Sequence, residues 1–99
     1  MNPAALITLY EAEICPACGF KLWFKPWSGE SASDEICPSC GIQFGYTDFT
    51  TPGDLVGRIA RYDEWRHRWI AAGMKWEGME AEPDDWNPQK QLEKVERVA

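Results

Sequence analysis

The sequence lacks several patterns that identify common classes of protein. It contains no apolar run long enough to span a membrane, and its start, MNPAALITLYEAEIC, has no basic region before its apolar stretch. We therefore expect neither a membrane segment nor a signal peptide, and a cytoplasmic location in which thiols stay reduced. A P-loop, a Gly-rich phosphate motif and a nucleophile elbow are also missing.

An excess of basic residues is missing as well. The 16 acidic and 10 basic side chains give a formal net charge of -6, so we expect no nucleic-acid partner. The single histidine, His67, lies between Arg66 and Arg68 and is expected to be exposed on a helix. Because no convergent acid, base or nucleophile stands out, we expect the protein not to be an enzyme.

Cysteine is scarce, and all four cysteines fall in two similar phrases. These are ICPACGF at residues 14–20 and ICPSCGI at residues 36–42. Cys15, Cys18, Cys37 and Cys40 thus follow the pattern C-x2-C-x18-C-x2-C, which is typical of a zinc site with four thiolate ligands.

The residues around the cysteines support tight metal-binding turns, here called knuckles. Pro16 and Pro38 fix the backbone after the first cysteine of each phrase. Gly19 and Gly41 allow a positive φ after the second, which predicts backbone N–H groups directed toward the sulfurs. One zinc ion bound by both knuckles is the predicted cofactor.

Three other interpretations of the cysteines were weighed. Disulfides are disfavoured in a reducing compartment, and neither phrase opens an evident helix as a thioredoxin-like redox motif does. Iron is the serious rival to zinc, since paired C-P-x-C-G knuckles look like those of rubredoxins, which transfer electrons.

The rest of the chain predicts an α+β fold in a single domain, residues 1–99. Residues 1–50 are expected to form a zinc-ribbon-like or rubredoxin-like β-hairpin unit that carries the two knuckles. Strands are predicted at residues 5–14 (a short helix being the alternative), 20–27 and 42–46, with a polar loop at 28–35.

Residues 51–99 are predicted to be helical. A long helix begins after a cap at Thr51 or Asp54 and stops at Gly73. Its apolar stripe comprises Leu55, Ile59, Tyr62, Trp65 or Arg66, Trp69 and Ile70. A short helix follows, with Asn87 as its cap and Pro88 at its first position. Its thin stripe comprises Leu92, Val95 and Val98 or Ala99.

Two charged groups were assigned from their composition. Arg58, Arg61, Arg66 and Arg68 are expected on a solvated face of the long helix, balanced by nearby acids. The acidic segment, residues 77–85, contains Glu77, Glu80, Glu82, Asp84 and Asp85 and is expected to be exposed. Trp76 and Trp86 flank it and belong either to the core or to a docking surface.

The stretch from CPACGF to the second phrase, with WRHRWIAAGMKW and DDWNPQKQL after it, resembles small uncharacterised bacterial cysteine-rich proteins similar to the CPCC family. The resemblance covers residues 14 to 92 and implies a cysteine-bound metal. It implies no activity.

The leading hypothesis for function is a metal-stabilised protein-interaction module, with an immunity-like or antitoxin-like inhibitor of a basic partner as one form. The alternatives are a rubredoxin-like electron-transfer protein and a nucleic-acid-associated zinc ribbon.

Overall fold

The computed structural model describes residues 1–96, which form three helices and one two-stranded hairpin. The elements are α1 (Pro3–Glu11), β1 (Trp27–Ser28), β2 (Ser31–Ala32), α2 (Leu55–Ala71) and α3 (Pro88–Glu96). The strands are antiparallel, with Trp27 opposite Ala32. The α+β class is therefore confirmed, although the β part is smaller and arranged differently from the prediction.

The strand predicted at residues 5–14 is wrong, because most of that segment forms α1. The Asn2 side chain caps the helix by accepting the N–H of Ala5 at 2.8 Å, and Pro3 occupies the first turn. Leu6, Leu9 and Tyr10 are buried on one side of the helix. Their spacing of three and four residues matches a helical face, and this packing outweighs the strand preference of the β-branched residues.

The strands predicted at 20–27 and 42–46 are also wrong in extent. Each contributes an isolated bridge, Ile14 with Lys21 and Ile36 with Gln43, which closes a knuckle. The chain turns soon after the second bridge, because the Thr47 N–H donates to the Gln43 carbonyl at 2.9 Å. The hairpin lies instead at β1 and β2, largely within the predicted loop at 28–35.

The long helix α2 is capped as predicted at Asp54, whose side chain accepts the N–H of Gly57 at 2.8 Å. Gly73 follows its C-cap with a φ of 101°, which suits the residue after a helix end. Ile59, Tyr62 and Trp69 are buried as expected, whereas Ile70 is 37% exposed.

The expectation that all four arginines of α2 lie on a solvated face is wrong for two of them. Arg58 is only 2% exposed, and the Arg66 side chain is 11% exposed. Helical spacing already places Arg66 next to the buried stripe, since it lies four residues after Tyr62 and three before Trp69.

The short helix α3 also begins as predicted, with the Asn87 side chain accepting the N–H of Lys90 at 3.0 Å. Leu92 and Val95 are buried. The rest of the predicted stripe, Val98 or Ala99, lies outside the described residues.

The core combines side chains from both parts of the chain around the cysteines. All four cysteines are buried together with Leu6, Ile42 and Phe44 from the first part and Tyr62, Trp69 and Val95 from the second. Within residues 1–96, no helix has both the length and the apolar character that crossing a membrane requires.

Candidate metal centre

The two knuckles bring the four cysteine sulfurs together in the core. All four Sγ atoms lie within 4.8 Å of one another. The sulfurs of Cys15 and Cys40 are 3.8 Å apart, and those of Cys18 and Cys37 are 3.7 Å apart. Each of these short distances joins a sulfur of one knuckle to a sulfur of the other. The four sulfurs could therefore coordinate one metal ion.

The distances fit one tetrahedral ion. A metal with four bonds of about 2.3 Å to sulfur requires sulfurs about 3.8 Å apart along each tetrahedral edge. A disulfide would instead require about 2.05 Å, and all four cysteines are free. The cysteines are at most 2% exposed, so the geometry favours a closed site without an open position for substrate.

Both knuckles use the same backbone device, one phrase after the other. The Cys15 N–H donates to the Phe20 carbonyl at 2.9 Å, and the Cys37 N–H donates to the Ile42 carbonyl at 2.8 Å. The glycines have the predicted positive φ, 85° at Gly19 and 82° at Gly41. Repetition of the seven-residue phrase therefore reflects repetition of one turn.

The two glycines close their turns through backbone hydrogen bonds. The N–H groups of Gly19 and Gly41 donate at 2.8 Å to the carbonyls of Cys15 and Cys37, and not to sulfur. The positive φ closes the turn onto the first cysteine of each phrase. The glycines therefore shape the backbone that carries the ligands.

Side chains of α2 hold the knuckle backbone from outside. Arg66 donates from Nε to the Ala17 carbonyl at 2.7 Å and from NH2 to the Pro16 carbonyl at 2.8 Å. Trp65 donates from Nε1 to the Cys40 carbonyl at 3.1 Å. The helix thereby satisfies carbonyl groups that the tight turns leave unpaired, and it fixes both knuckles relative to each other.

The helix α3 contacts both knuckles through Gln91. A Cβ atom at Gly19 would overlap the Gln91 carbonyl oxygen, so the helix backbone rests directly on the first knuckle. The Gln91 side chain donates from Nε2 to Ser39 Oγ in the second knuckle at 2.8 Å, and both residues are buried. Gln91 therefore ties the two halves of the cluster together on the side of α3.

The pKa values of the thiols differ according to their surroundings. Burial opposes ionisation of Cys18, but hydrogen bonds from the other three cysteines and from Ser39 outweigh it and hold the Cys18 pKa well below its usual value. Burial and neighbouring sulfurs raise the pKa values of Cys37 and Cys40 well above their usual range. Four thiolates in this space would repel one another, so a bound cation would stabilise them.

Of the other residues singled out from the sequence, Glu77 contacts the second knuckle, where its backbone N–H donates to the Pro38 carbonyl at 2.9 Å. His67 is exposed, as are all five acids of the acidic segment, and both predictions are confirmed. Trp76 and Trp86 are half-buried and contact each other edge to face at 5.3 Å between ring centroids. They belong to an aromatic cluster that also includes Phe20.

Sequence reasoning missed the outer contacts of the centre. The residues concerned are Ser39, Trp65, Arg66 and Gln91. Only the place of Trp65 and Arg66 beside the apolar stripe of α2 offered a signal. The polar side chain of Ser39, at the fourth position of the second phrase, gave no indication of its partner.

Fold and site together define a small α+β protein with a buried four-cysteine cluster that can coordinate a metal ion. Comparison with protein-family models, curated proteins and solved structures found no significant match. The resemblance to CPCC-like proteins stays a prediction.

Proposed function

We propose that this protein is a zinc-stabilised interaction module whose acidic segment binds a basic protein partner. Four thiolates in a closed tetrahedral arrangement are a donor set that suits structural zinc. Zinc in such a site serves folding and not chemistry, which agrees with a protein that is not an enzyme. The proposal places the protein in the cytoplasm, where its cysteines stay reduced.

The observation that carries the partner proposal is the surface of the acidic segment. Its five carboxylates are exposed, and none forms a salt bridge with another described residue. Met79, in the middle of the segment, is fully exposed, whereas Trp76 donates from Nε1 to the Glu80 carbonyl at 2.8 Å. That hydrogen bond shapes the segment into a folded loop that presents an apolar side chain among negative charges.

A surface of this kind matches a basic partner with an apolar contact at its centre. Exposed charges steer association over roughly 8 Å at physiological ionic strength, while an apolar side chain adds burial after contact. An immunity-like or antitoxin-like inhibitor that masks a basic enzyme is the form of partner binding that we propose.

The metal part is tested on protein purified without added metal. Elemental analysis should give close to one zinc per chain, and the protein should be colourless. A red protein with one iron per chain would replace zinc with a rubredoxin-like centre.

The partner part is tested by a charge-neutralised variant with Glu77→Gln, Glu80→Gln, Glu82→Gln, Asp84→Asn and Asp85→Asn. It changes the net charge from -6 to -1, since five negative charges are removed. The matched control removes five exposed charges elsewhere, at Glu30, Asp34, Glu35, Glu64 and Glu96, none of which forms a salt bridge with another described residue. A basic partner that is recovered in a pull-down with wild type and with the control, but not with the charge-neutralised variant, supports the proposal. Equal recovery with both variants contradicts it.

A further inference from the structure

A cavity of about 260 Å³ lies beside the first turns of α3, and its lining includes Phe20 and Gln91, which also contact the knuckles. Phe20 and Trp86 form aromatic walls, and Lys21, Lys90 and Lys94 supply positive charge. Asp85 is the one acidic residue in its lining. In a chain with a net charge of -6, the lining with three lysines and one aspartate is an unusual positive site.

The three lysines differ in the salt bridges and hydrogen bonds that they form within the protein. Lys21 pairs with Glu13 at 3.0 Å and also donates to the Leu22 carbonyl at 3.1 Å. Lys90 and Lys94 are one helical turn apart on α3, and neither forms a salt bridge within residues 1–96. Like charges at this spacing repel each other, so an anion between them would be stabilising.

Trp86 supplies a donor that also lacks a partner. Its indole N–H is buried and donates to no acceptor among the described residues. A buried donor without an acceptor is costly, and native proteins rarely leave one. Trp86 also lines the cavity, so a bound acceptor that reaches Nε1 would supply the partner that this N–H lacks.

We propose that this cavity binds an aromatic carboxylate. An engineered cavity of about 150 Å³ holds benzene, so 260 Å³ accommodates a phenyl ring together with a carboxylate group. The ring packs against Phe20 and Trp86, and the carboxylate faces Lys90 and Lys94 with the Trp86 N–H as a further donor. The site goes beyond the proposed function, since its ligand is anionic whereas the partner of the acidic segment is basic.

The test follows the Trp86 indole N–H resonance in ¹H–¹⁵N NMR spectra of the zinc-loaded protein. Trp86→Phe, which keeps a ring and removes the donor, assigns the resonance. Phenylacetate is the probe, while phenylacetamide lacks the charge and acetate lacks the ring. We expect a saturable shift with phenylacetate and at least roughly tenfold weaker binding of the other two. No saturable shift, or equal binding of all three probes, overturns the proposal.

Charge removal gives a second readout. The double variant Lys90→Gln, Lys94→Gln should bind phenylacetate roughly tenfold more weakly. Lys75→Gln, which removes an exposed lysine outside this cavity, should leave the affinity unchanged. Equal weakening in both variants would show general charge attraction and would overturn the proposal.

An aromatic carboxylate of this kind can be either a free aromatic acid or the C-terminus of a peptide that ends in an aromatic residue. N-acetyl-glycyl-phenylalanine with a free carboxylate identifies a peptide terminus as the ligand if it binds more tightly than phenylacetate. Weaker binding of the peptide identifies a free aromatic acid.

Discussion

The phenol oxygen of Tyr62 lies 2.6 Å from Asp48 Oδ2 in the protein core, and neither residue is exposed. This contact belongs to a closed ring of buried polar groups. Trp27 also donates to Asp48 Oδ2 at 2.9 Å, and the guanidinium of Arg58 lies 3.7 Å from the centre of the Trp27 ring. Arg58 then approaches the Tyr10 hydroxyl, which bonds to Tyr62 at 2.7 Å. A buried aspartate and a buried arginine are thus balanced through aromatic residues without a direct ion pair.

Removal of the Tyr62 hydroxyl from this network of polar groups should leave the buried Asp48 carboxylate without one of its hydrogen-bond donors. We expect Tyr62→Phe to lower the free energy of unfolding by about 1–3 kcal/mol. Urea denaturation followed by circular dichroism measures the change. Tyr46→Phe, at a tyrosine that is 64% exposed, is the matched control and should have little effect. Equal stability of the two variants would contradict a structural role of the ring.

The same ring predicts a loss of stability at alkaline pH. Burial raises the pKa values of Tyr10 and Tyr62 in the folded protein, so the folded state keeps these protons after the unfolded chain begins to lose them. The stabilisation is complete below pH 10, near the ordinary tyrosine pKa, and is lost as pH rises further. Each tyrosine contributes a slope of up to about 1.4 kcal/mol per pH unit.

Unfolding free energies measured between pH 8 and 11 test this slope. Tyr62→Phe should reduce it, since that variant has one fewer buried phenol to titrate. If the free energy of unfolding of Tyr62→Phe decreases with pH as steeply as that of wild type, the alkaline loss of stability belongs to other groups.

The fork of hydrogen bonds from Arg66 to the first knuckle predicts a role in metal retention. Lysine keeps the charge at this position but cannot reproduce the paired geometry on the Pro16 and Ala17 carbonyls. With the proposed zinc bound, Arg66→Lys should release it to a chelator roughly 10–100-fold more readily, because loss of an outer contact weakens metal affinity by about that factor. Arg61→Lys, on an exposed position of the same helix, is the control. Competition with a coloured zinc chelator measures both.

A pair of glycines separates backbone strain from packing. Gly19 and Gly53 have similar positive φ values, 85° and 79°, but a Cβ at Gly53 would meet nothing within 4 Å. Gly53→Ala should therefore cost only the strain of a positive φ, about 1 kcal/mol. Gly19→Ala should cost about 1–3 kcal/mol more, because α3 must move away from the knuckle. Thermal unfolding of both variants compares the costs, and equal melting temperatures would contradict the contact between α3 and the knuckle.

Loss of one ligand should uncouple the two parts of the chain. The binding free energy of structural zinc, on the order of 10–16 kcal/mol in small peptides, exceeds the stability of a typical small domain. Cys37→Ser should thus lose near-ultraviolet circular dichroism signal, and added zinc should not restore it. Wild type stripped of metal should regain the signal with one equivalent of zinc. Wild-type melting of Cys37→Ser would show that the cysteines are not structural ligands.

The cluster and the starts of α2 and α3 could be predicted because their causes are local. Ligands and turn residues lie within seven positions of one another in each phrase, and a cap such as Asp54 or Asn87 acts on the next turn. The first helix carried a comparable signal in Asn2 and Pro3, but the β-branched residues after them favoured a strand. Local preference was misleading there because the packing of Leu6 and Leu9 decided the structure.

The remaining structure depends on contacts between distant residues. The strand predicted at 20–27 does not form as one element because a strand also needs a partner, and this segment pairs only at Lys21 and at Trp27. The helical pattern of α2 likewise indicates a buried face without showing which carbonyls Arg66 will reach. Such pairings are set by how the knuckles and helices meet, and no short stretch of sequence contains that information.

Gln91 of α3 bonds to Ser39, which lies 52 positions earlier in the chain. All four cysteines also precede α3, the helix that covers the cluster. During synthesis the four cysteines emerge as two open loops while α3 is still unmade. Because the finished cluster is at most 2% exposed, a metal ion of the kind proposed would enter most easily at that stage. Its capture would then precede burial, and the ion would act as a template on which α2 and α3 assemble. Exchange of the ion in the mature protein would require α3 to undock first, so the lifetime of the bound metal would report the strength of a helix that contributes no ligand.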